Sequence, residues 1–136
     1  PVGFAGLEAV AGQPGFVCQA GLVIDRQALF AHARSSAAVS MDEFAVALHR
    51  HCPIELDPAL GWHLWATDLC LQGQQLAGRA VAQVLQVPLF HNSTNDYQLP
   101  PQFHASAQVL LDKYPQHERI PTLCGEIKRQ RSAIPA

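Results

Sequence analysis

The chain has 136 residues, of which 49% are hydrophobic and 15% are charged, and its formal net charge is -2 with histidine neutral. This composition supplies enough apolar side chains for the core of one ordinary domain and too few charges for a disordered chain. It excludes a strongly basic nucleic-acid-binding surface, and no apolar run approaches the roughly 20 residues that a transmembrane helix needs.

The cysteines and the first residue bear on the compartment and on the extent of the protein. The cysteines are scattered and form no CxxC pair, so we expect free, buried thiols in a reducing cytoplasm. No signal peptide is recognisable, and the chain begins at Pro1 rather than Met, so we expect the natural protein to be longer. The four cysteines are Cys18, Cys52, Cys70 and Cys124.

The first half of the chain is predicted to form short strands and turns. Residues 1–24 are small and apolar with recurring glycines, which favours a hairpin whose second arm is residues 16–24. Residues 26–40 favour a helical turn that gives way to a flexible Ser/Ala loop. Residues 44–49 alternate in character with a period of two, which predicts a strand that Pro53 ends.

The second half is predicted to alternate between helices and strands. Apolar residues at steps of three and four predict a helix over 62–77, with Gly78 at its C-terminal stop. Residues 80–89 are typical of a buried strand closed by a proline. Residues 100–114 predict a second helix, because prolines suit its start and another proline follows its end.

This alternation predicts an α/β fold with a mixed sheet flanked by helices. We expect residues 1–125 to form the domain and residues 126–136 to form a peripheral tail, because the last residues carry prolines and the basic run KRQR. Neither GxGxxG nor GxxxxGK[ST] occurs in the sequence, so no phosphate-binding loop is predicted.

Asp68 is the only formal charge in the twelve-residue stretch GWHLWATDLCLQ. On the predicted helix it shares a largely apolar face with Leu64, Leu71 and Gln75. Burial there removes water from the carboxylate and raises its pKa unless hydrogen bonds or a cation offset the effect, so Asp68 is a candidate general base. The structural alternative is that it accepts hydrogen bonds from a nearby loop or pairs with an arginine.

The same stretch resembles a known family. HLWATDLCLQ is similar to the late signature of a bacterial glycosyltransferase-like family with the GT-A fold, which reads gfHlYatDLcL. Downstream, PLFHNS with His91, Asn92 and Ser93 resembles a strand of that family that ends in His-Asn-Ser, and LPPQFHASAQVLLDKYP and IPTLCG resemble its closing elements. MDEFAVALHR, IELDP, GFAGLEAVAG and CQAGLV resemble its upstream segments, so the likeness runs through most of the chain.

The resemblance implies a partial GT-A-like architecture and the transfer of a sugar from a nucleotide-sugar donor to a hydroxyl of a sugar or polysaccharide acceptor. Asp68 matches the base that deprotonates the acceptor. Asp42 and Glu43 match the acceptor side of the sheet, and His91 matches a position that contacts the metal or the diphosphate in some members. The implied cofactor is Mg²⁺ or Mn²⁺, which favours oxygen ligands and offsets the charge of the leaving diphosphate.

Trp62 and Trp65 allow two interpretations. As exposed rings they could stack on an acceptor sugar, whereas on an apolar helical stripe they would belong to the core.

Two departures from the family leave the activity open. Thr67 stands where many GT-A enzymes carry Glu, and no nucleotide-binding half or Asp-X-Asp motif is present. We therefore expect the acceptor-side part of a larger enzyme, inactive alone. The alternative is a non-catalytic binding or interaction module of the same fold, whose apolar patch another copy or a partner covers.

Two further alternatives use histidine. Cys70 activated by His63 or His91 would make an unrelated Cys/His enzyme. His49 and His51 are two apart, so on a strand they could bind a metal together or simply flank the strand end.

Overall fold

The structure, a computed structural model, describes residues 1–25, 29–30, 37–92 and 98–129. These residues form an α/β fold with a mixed sheet and two α-helices, which confirms the predicted class. The strands are β1 (Val2–Gly3), β2 (Ala5–Ala9), β3 (Val17–Gly21), β4 (Val23–Asp25), β5 (Leu29–Phe30), β6 (Ala37–Met41), β7 (Val46–Ala47), β8 (Ala82–Val84), β9 (Leu89–His91), β10 (Arg119–Thr122) and β11 (Gly125–Lys128). The helices are α1 (Trp65–Ala77), α2 (Pro101–Lys113) and the 3-10 turn Pro58–Leu60.

The largest sheet has six strands in the order β3-β2-β6-β8-β1-β7. Among the described strand pairs of this sheet, only β1–β8 is parallel, and the others are antiparallel. Among the described residues, β4 lies between β5 and β9 in a three-stranded sheet, and β10 pairs with β11. No helix in the described part of the chain is long and apolar enough to cross a membrane.

Close backbone approach explains two of the glycines near the N-terminus. A Cβ at Gly6 would lie 2.4 Å from the carbonyl oxygen of Ser40 on the neighbouring strand. Gly21 ends β3 at φ +131°, where a Cβ would lie 2.4 Å from the carbonyl oxygen of Phe4. The β2–β3 pair is the predicted hairpin. Its second arm pairs with β2 only as far as Gly21, because the chain then passes into the three-stranded sheet.

Helix α1 begins three residues later than predicted. Leu64 precedes it in the left-handed conformation, at φ 65°, so residues 62–64 form a turn rather than a first helical turn. Its predicted end is confirmed, because Gly78 follows at φ 67° in the left-handed conformation that glycine adopts without strain. Helix α2 is confirmed, with its two prolines at the start, but it begins at Pro101 and ends at Lys113, one residue inside each predicted end.

The core lies between the large sheet and the two helices. One apolar cluster joins α1 to α2 and to the β10–β11 hairpin, and a second joins α1 to the sheet. Ser106 of α2 donates a 2.7 Å hydrogen bond to the carbonyl oxygen of Leu60, which fixes the 3-10 turn against α2. The inward face of α2 carries Phe103, Ala107 and Leu110, as its periodicity predicts.

Three predicted elements differ from the structure. Residues 37–40, expected in a loop, belong to β6, because pairing with β2 and β8 on both sides outweighs the local preference of an Ala/Ser sequence. The strand predicted at 44–49 is reduced to Val46–Ala47, since the Asp42 carboxylate accepts a hydrogen bond from the Phe44 N–H and turns the chain there. The buried strand predicted over 80–89 is two short strands in different sheets, β8 and β9.

The C-terminal end also carries regular structure. Residues 126–128, expected at the start of a peripheral tail, belong to β11, and Ile127 is buried in the cluster that joins the two helices. Residues 130–136 lie outside the described residues, as do 26–28 and 31–36 of the predicted helical turn.

Candidate functional site

The carboxylate of Asp68 lies in the first turn of α1 and is 0% exposed. Tyr114 donates a hydrogen bond of 2.6 Å from its hydroxyl to Oδ1, and Lys113 donates one of 2.9 Å from Nζ to Oδ2. Gln72, one helical turn further along α1, donates a bond of 2.7 Å to Oδ2. We call Asp68, Gln72, Lys113 and Tyr114 the Asp68 network. The structural alternative anticipated an arginine, but the cation that pairs with Asp68 is a lysine.

Two of these residues also tie the network to the loop before the 3-10 turn. Lys113 donates a second bond of 2.8 Å to Oδ2 of Asp57, whose Oδ1 accepts from the Ala59 N–H at 3.0 Å. Gln72 clamps the backbone of Glu55, because its Oε1 accepts from the Glu55 N–H at 3.1 Å and its Nε2 donates to the Glu55 carbonyl at 2.8 Å. The network therefore joins α1, α2 and this loop.

The charges of the network shift the pKa values of its outer members. The Lys113 bond, and after it the Ala59 N–H, holds the pKa of the Asp57 carboxyl below its usual value. Burial opposes the charge of Lys113, but the bonds to Asp57 and Asp68 outweigh it and raise the pKa of the ammonium. Burial, and then the bond to Asp68, raises the pKa of the Tyr114 hydroxyl far above its usual value, so Tyr114 remains a donor.

An open cleft of about 390 Å³ lies on the outer side of the network. Three of the groups that line it, Gln72, Lys113 and Tyr114, are the partners of Asp68. Asp68 itself lies behind them and does not line the cleft. A molecule in the cleft would therefore reach the carboxylate only if the Lys113 side chain, which is 31% exposed, turned aside. The lining residues are Glu55, Leu56, Asp57, Pro58, Gln72, Gln75, Lys113 and Tyr114.

The start of α1 forms a separate group of residues, which we call the α1 entrance: Glu43, Trp62 and Leu64. The Glu43 carboxylate accepts a hydrogen bond from the Leu64 N–H, at the helix N-terminus. Burial, and then the neighbouring charge of Asp42, raises the pKa of Glu43 to about 7. Trp62, two residues before Leu64 in the chain, is 88% exposed. The start of α1 thus combines a carboxyl with a pKa near neutral pH and, two residues before Leu64 in the chain, an exposed indole.

The structure separates the two tryptophans that the sequence pairs. Trp65 is half-buried and packs against both apolar clusters, which is the core role. Trp62 lies before the helix and leaves its ring in solvent. Only Trp62 is therefore available to stack on a ligand.

The remaining predicted site residues, Asp42 and His91, are next to the segment that carries Glu43: Asp42 precedes Glu43 in the chain, and His91 contacts Phe44. The ring of His91 stacks on Phe44 with 4.8 Å between centroids, one residue from Glu43 in the chain. Burial, and then the charges of Asp42 and Glu43, raises the pKa of the Cys124 thiol to about 11, which places the β10–β11 turn near both acids. The structure thus places His91 against Phe44, the residue that follows Asp42 and Glu43 in the chain. It places Asp68 in a different network.

The described residues do not supply a metal site. Within residues 1–25, 29–30, 37–92 and 98–129, no group of three or more His, Cys, Asp or Glu side chains is close enough to hold an ion. His91 lies on β9, and the Ser93 of the same motif is outside the described residues. His49 and His51 have ring centroids 5.5 Å apart, and Nε2 of His51 accepts a hydrogen bond from Arg50. We therefore derive no step through Mg²⁺ or Mn²⁺.

Two other residues that the sequence singles out have structural surroundings. Thr67 is buried and its hydroxyl lies 3.0 Å from that of Ser40, which links α1 to β6. Burial raises the pKa of the Cys70 thiol to about 12, so the thiol stays protonated and does not suit nucleophilic catalysis. All four cysteines are free, as expected, although only Cys70 is buried.

Sequence reasoning missed most of the groups that hold Asp68. The contact between Gln72 and Asp68 could have been predicted, because residues four apart meet on one helix face. The contacts of Lys113 and Tyr114 could not be predicted in this way, since the two residues approach Asp68 only when α2 packs on α1.

No protein-family model matches the chain, and no curated protein shows significant similarity to it.

Proposed function

We propose that this chain is the acceptor-side part of a GT-A-like glycosyltransferase, which transfers a sugar from a nucleotide-sugar to an acceptor hydroxyl. The observation that carries the proposal is the α1 entrance, where the exposed Trp62 ring lies close in the chain to the Leu64 N–H that binds the Glu43 carboxylate. The α/β fold and the position of Asp68 in the first helical turn support it, because the resembling family places its signature there.

The proposal assigns a role to Trp62, Asp42 and Glu43. The Trp62 indole offers an apolar face to the C–H side of a sugar ring. Asp42 and Glu43 accept hydrogen bonds from sugar hydroxyls, and Glu43, with a pKa of about 7, is partly ionised at neutral pH. A carboxyl of that pKa both accepts and releases protons readily, so Glu43 is a second candidate for the general base.

Asp68 is the base that the resemblance assigns. In the structure its carboxylate accepts three hydrogen bonds and has no solvent contact, so a base role requires Lys113 to turn away. Asp57 can retain the ammonium during this movement, since it already binds Lys113 at 2.8 Å. Oδ2, which keeps its hydrogen bond from Gln72, would then face the cleft and accept the proton of an acceptor hydroxyl.

A non-catalytic carbohydrate-binding or interaction module is the second candidate. The burial and full hydrogen bonding of Asp68 favour it, because a carboxylate that joins the two helices has a sufficient structural role. In this case Trp62 would bind a saccharide or a partner, and no sugar would be transferred.

The experiment that separates the candidates uses the natural protein that contains these residues. It is incubated with UDP-, GDP- and dTDP-sugars, Mg²⁺ or Mn²⁺ and a panel of oligosaccharide acceptors, and the products are identified by mass spectrometry. Transfer of a sugar supports the enzyme. Saccharide binding that is lost in Trp62→Ala, without transfer or donor hydrolysis, identifies the module and excludes the enzyme.

A cytoplasmic location is part of the same proposal, because four free thiols and nucleotide-sugar donors both suit a reducing cytoplasm. For this chain alone we expect no calorimetric binding of nucleotide-sugars with Mn²⁺, since no phosphate-binding loop occurs in its sequence. Micromolar binding by the chain would contradict the assignment to the acceptor side.

A further inference from the structure

We propose that the cleft beside the Asp68 network binds a polyhydroxylated ligand without negative charge, such as a neutral or amino sugar. This site is distinct from the α1 entrance, because neither Trp62 nor Glu43 lines the cleft. The inference does not depend on glycosyl transfer. It uses only the shape, charge and hydrogen-bonding groups of the cleft.

The size and rigidity of the cleft suit a small ligand. Its volume of about 390 Å³ lies within the range of roughly 300–1,000 Å³ that small-molecule sites occupy. Its walls are fixed in advance, since Gln72 clamps the backbone of Glu55 and Lys113 joins Asp57 to Asp68. Preformed walls favour binding, because the protein then loses little conformational entropy when a ligand enters.

The charge of the cleft excludes anionic ligands. The carboxylates of Glu55 and Asp57 line it, and that of Asp68 lies directly behind it, whereas Lys113 is the only cation among the lining residues. Lys113 already donates to two of these carboxylates. A phosphate or nucleotide would therefore meet net repulsion, and an ammonium group on the ligand would be attracted.

The remaining groups match the mixed surface of a sugar. The Gln75 amide and the Glu55 carboxylate make no side-chain hydrogen bond within the described residues, so both are available to hydroxyl groups. Leu56, which is 60% exposed, and Pro58 add an apolar side to the same cleft. Sugar hydroxyls can form hydrogen bonds with the Gln75 amide and the Glu55 carboxylate, and the C–H groups of the ring can pack on Leu56 and Pro58.

Nuclear magnetic resonance titration of this chain tests the site with three probes: methyl glucoside, glucosamine and glucose 6-phosphate. We expect glucosamine to bind more tightly than methyl glucoside and glucose 6-phosphate not to bind. Backbone resonances of residues 55–58 and the Gln75 side-chain amide should shift with both binding probes. The preference for glucosamine should shrink at high salt, because it arises from charge.

Three variants make the test specific, and the two in the cleft change exposed side chains that no described contact requires for folding. Gln75→Ala and Glu55→Gln should each weaken glucosamine binding by about fivefold or more, which is the effect of losing one hydrogen bond. Gln74→Ala, the matched control on the same helix outside the cleft lining, should leave binding unchanged. Equal binding of glucose 6-phosphate, or shifts confined to the surroundings of Trp62, would overturn the cleft site. The latter result would leave the proposed function standing, whereas absence of sugar transfer by the natural protein would not affect the cleft site.

Discussion

Tyr114 donates a 2.6 Å hydrogen bond to the buried carboxylate of Asp68, from the end of α2 to the first turn of α1. This bond helps to explain why a single buried carboxylate is tolerated on an apolar helix. The charge is compensated by a hydroxyl and an ammonium from the end of α2 and by an amide from α1 itself. It also means that a substitution of Asp68 changes stability as well as any chemistry.

The first prediction concerns the charge of Asp68. Asp68→Asn should lower the free energy of unfolding by about 2–4 kcal/mol, because it removes the buried half of an ion pair and weakens the bonds from Tyr114 and Gln72. Urea denaturation measures the change. Asp57→Asn is the matched control, since it removes the other carboxylate of the same lysine but keeps the oxygen that accepts from Ala59. That control should cost less than about 1 kcal/mol, because its ion pair is solvent-exposed. Equal losses in both variants would contradict the structural importance of the buried pair.

The second prediction concerns the hydroxyl of Tyr114. Tyr114→Phe should cost about 1.5–3 kcal/mol, the range for a hydrogen bond to a charged group. The raised pKa adds a signature in alkali, because the folded state keeps the hydroxyl protonated above the unfolded value of about 10. Stability should therefore fall as the pH rises above that value. In a Tyr97→Phe background, phenolate absorbance should appear only together with unfolding. Ionisation of Tyr114 in the folded protein near pH 10 would refute the bond.

The sequence shows which residues matter more clearly than it shows their partners. The helix that carries Asp68, its glycine stop and the proline-led α2 follow from local patterns, which depend on neighbouring residues only. The lysine and tyrosine that reach Asp68 are 45 and 46 residues away in the chain, and only the packing of α2 on α1 brings them near. For the same reason β6, whose place in the sheet depends on pairing with distant strands, could not be predicted from its Ala/Ser composition.

The third prediction concerns the pH dependence set by Glu43. Its pKa is raised in the folded state to about 7, so the folded protein holds a proton that the unfolded chain releases near pH 4.5. The contribution of Glu43 to the free energy of unfolding should therefore be highest below pH 4.5 and should decline between pH 4.5 and 7. The decline is at most roughly 3 kcal/mol and smaller in practice, because the side chain keeps some contact with solvent.

Glu43→Gln checks this dependence, since the amide does not titrate. The difference in unfolding free energy between wild type and Glu43→Gln should change with pH in that interval and level off above it. A difference that is constant from pH 4.5 to 7 would show that the Glu43 carboxyl titrates normally.

The fourth prediction contrasts the two tryptophans. Trp62→Ala should change the free energy of unfolding by no more than about 0.5 kcal/mol, because the ring is exposed, and should abolish saccharide binding at the α1 entrance. Trp65→Ala should cost about 2–4 kcal/mol, because its ring packs against both apolar clusters. Intrinsic fluorescence during saccharide titration, together with urea denaturation, measures both effects. A large loss of stability in Trp62→Ala would mean that its ring has a structural role.

The most direct test of the central claim is a comparison of sugar transfer by four forms of the natural protein: wild type, Asp68→Asn, Tyr114→Phe and Glu43→Gln. The measurement is made at a temperature where circular dichroism shows all four to be folded. The account predicts transfer by wild type, its loss in Asp68→Asn, and its retention in Tyr114→Phe, which disturbs the same network but leaves the carboxylate. Loss of transfer in Glu43→Gln with retention in Asp68→Asn would identify Glu43 as the base instead. Turnover by Asp68→Asn at the wild-type rate, or the absence of transfer by wild type with every donor, would contradict it.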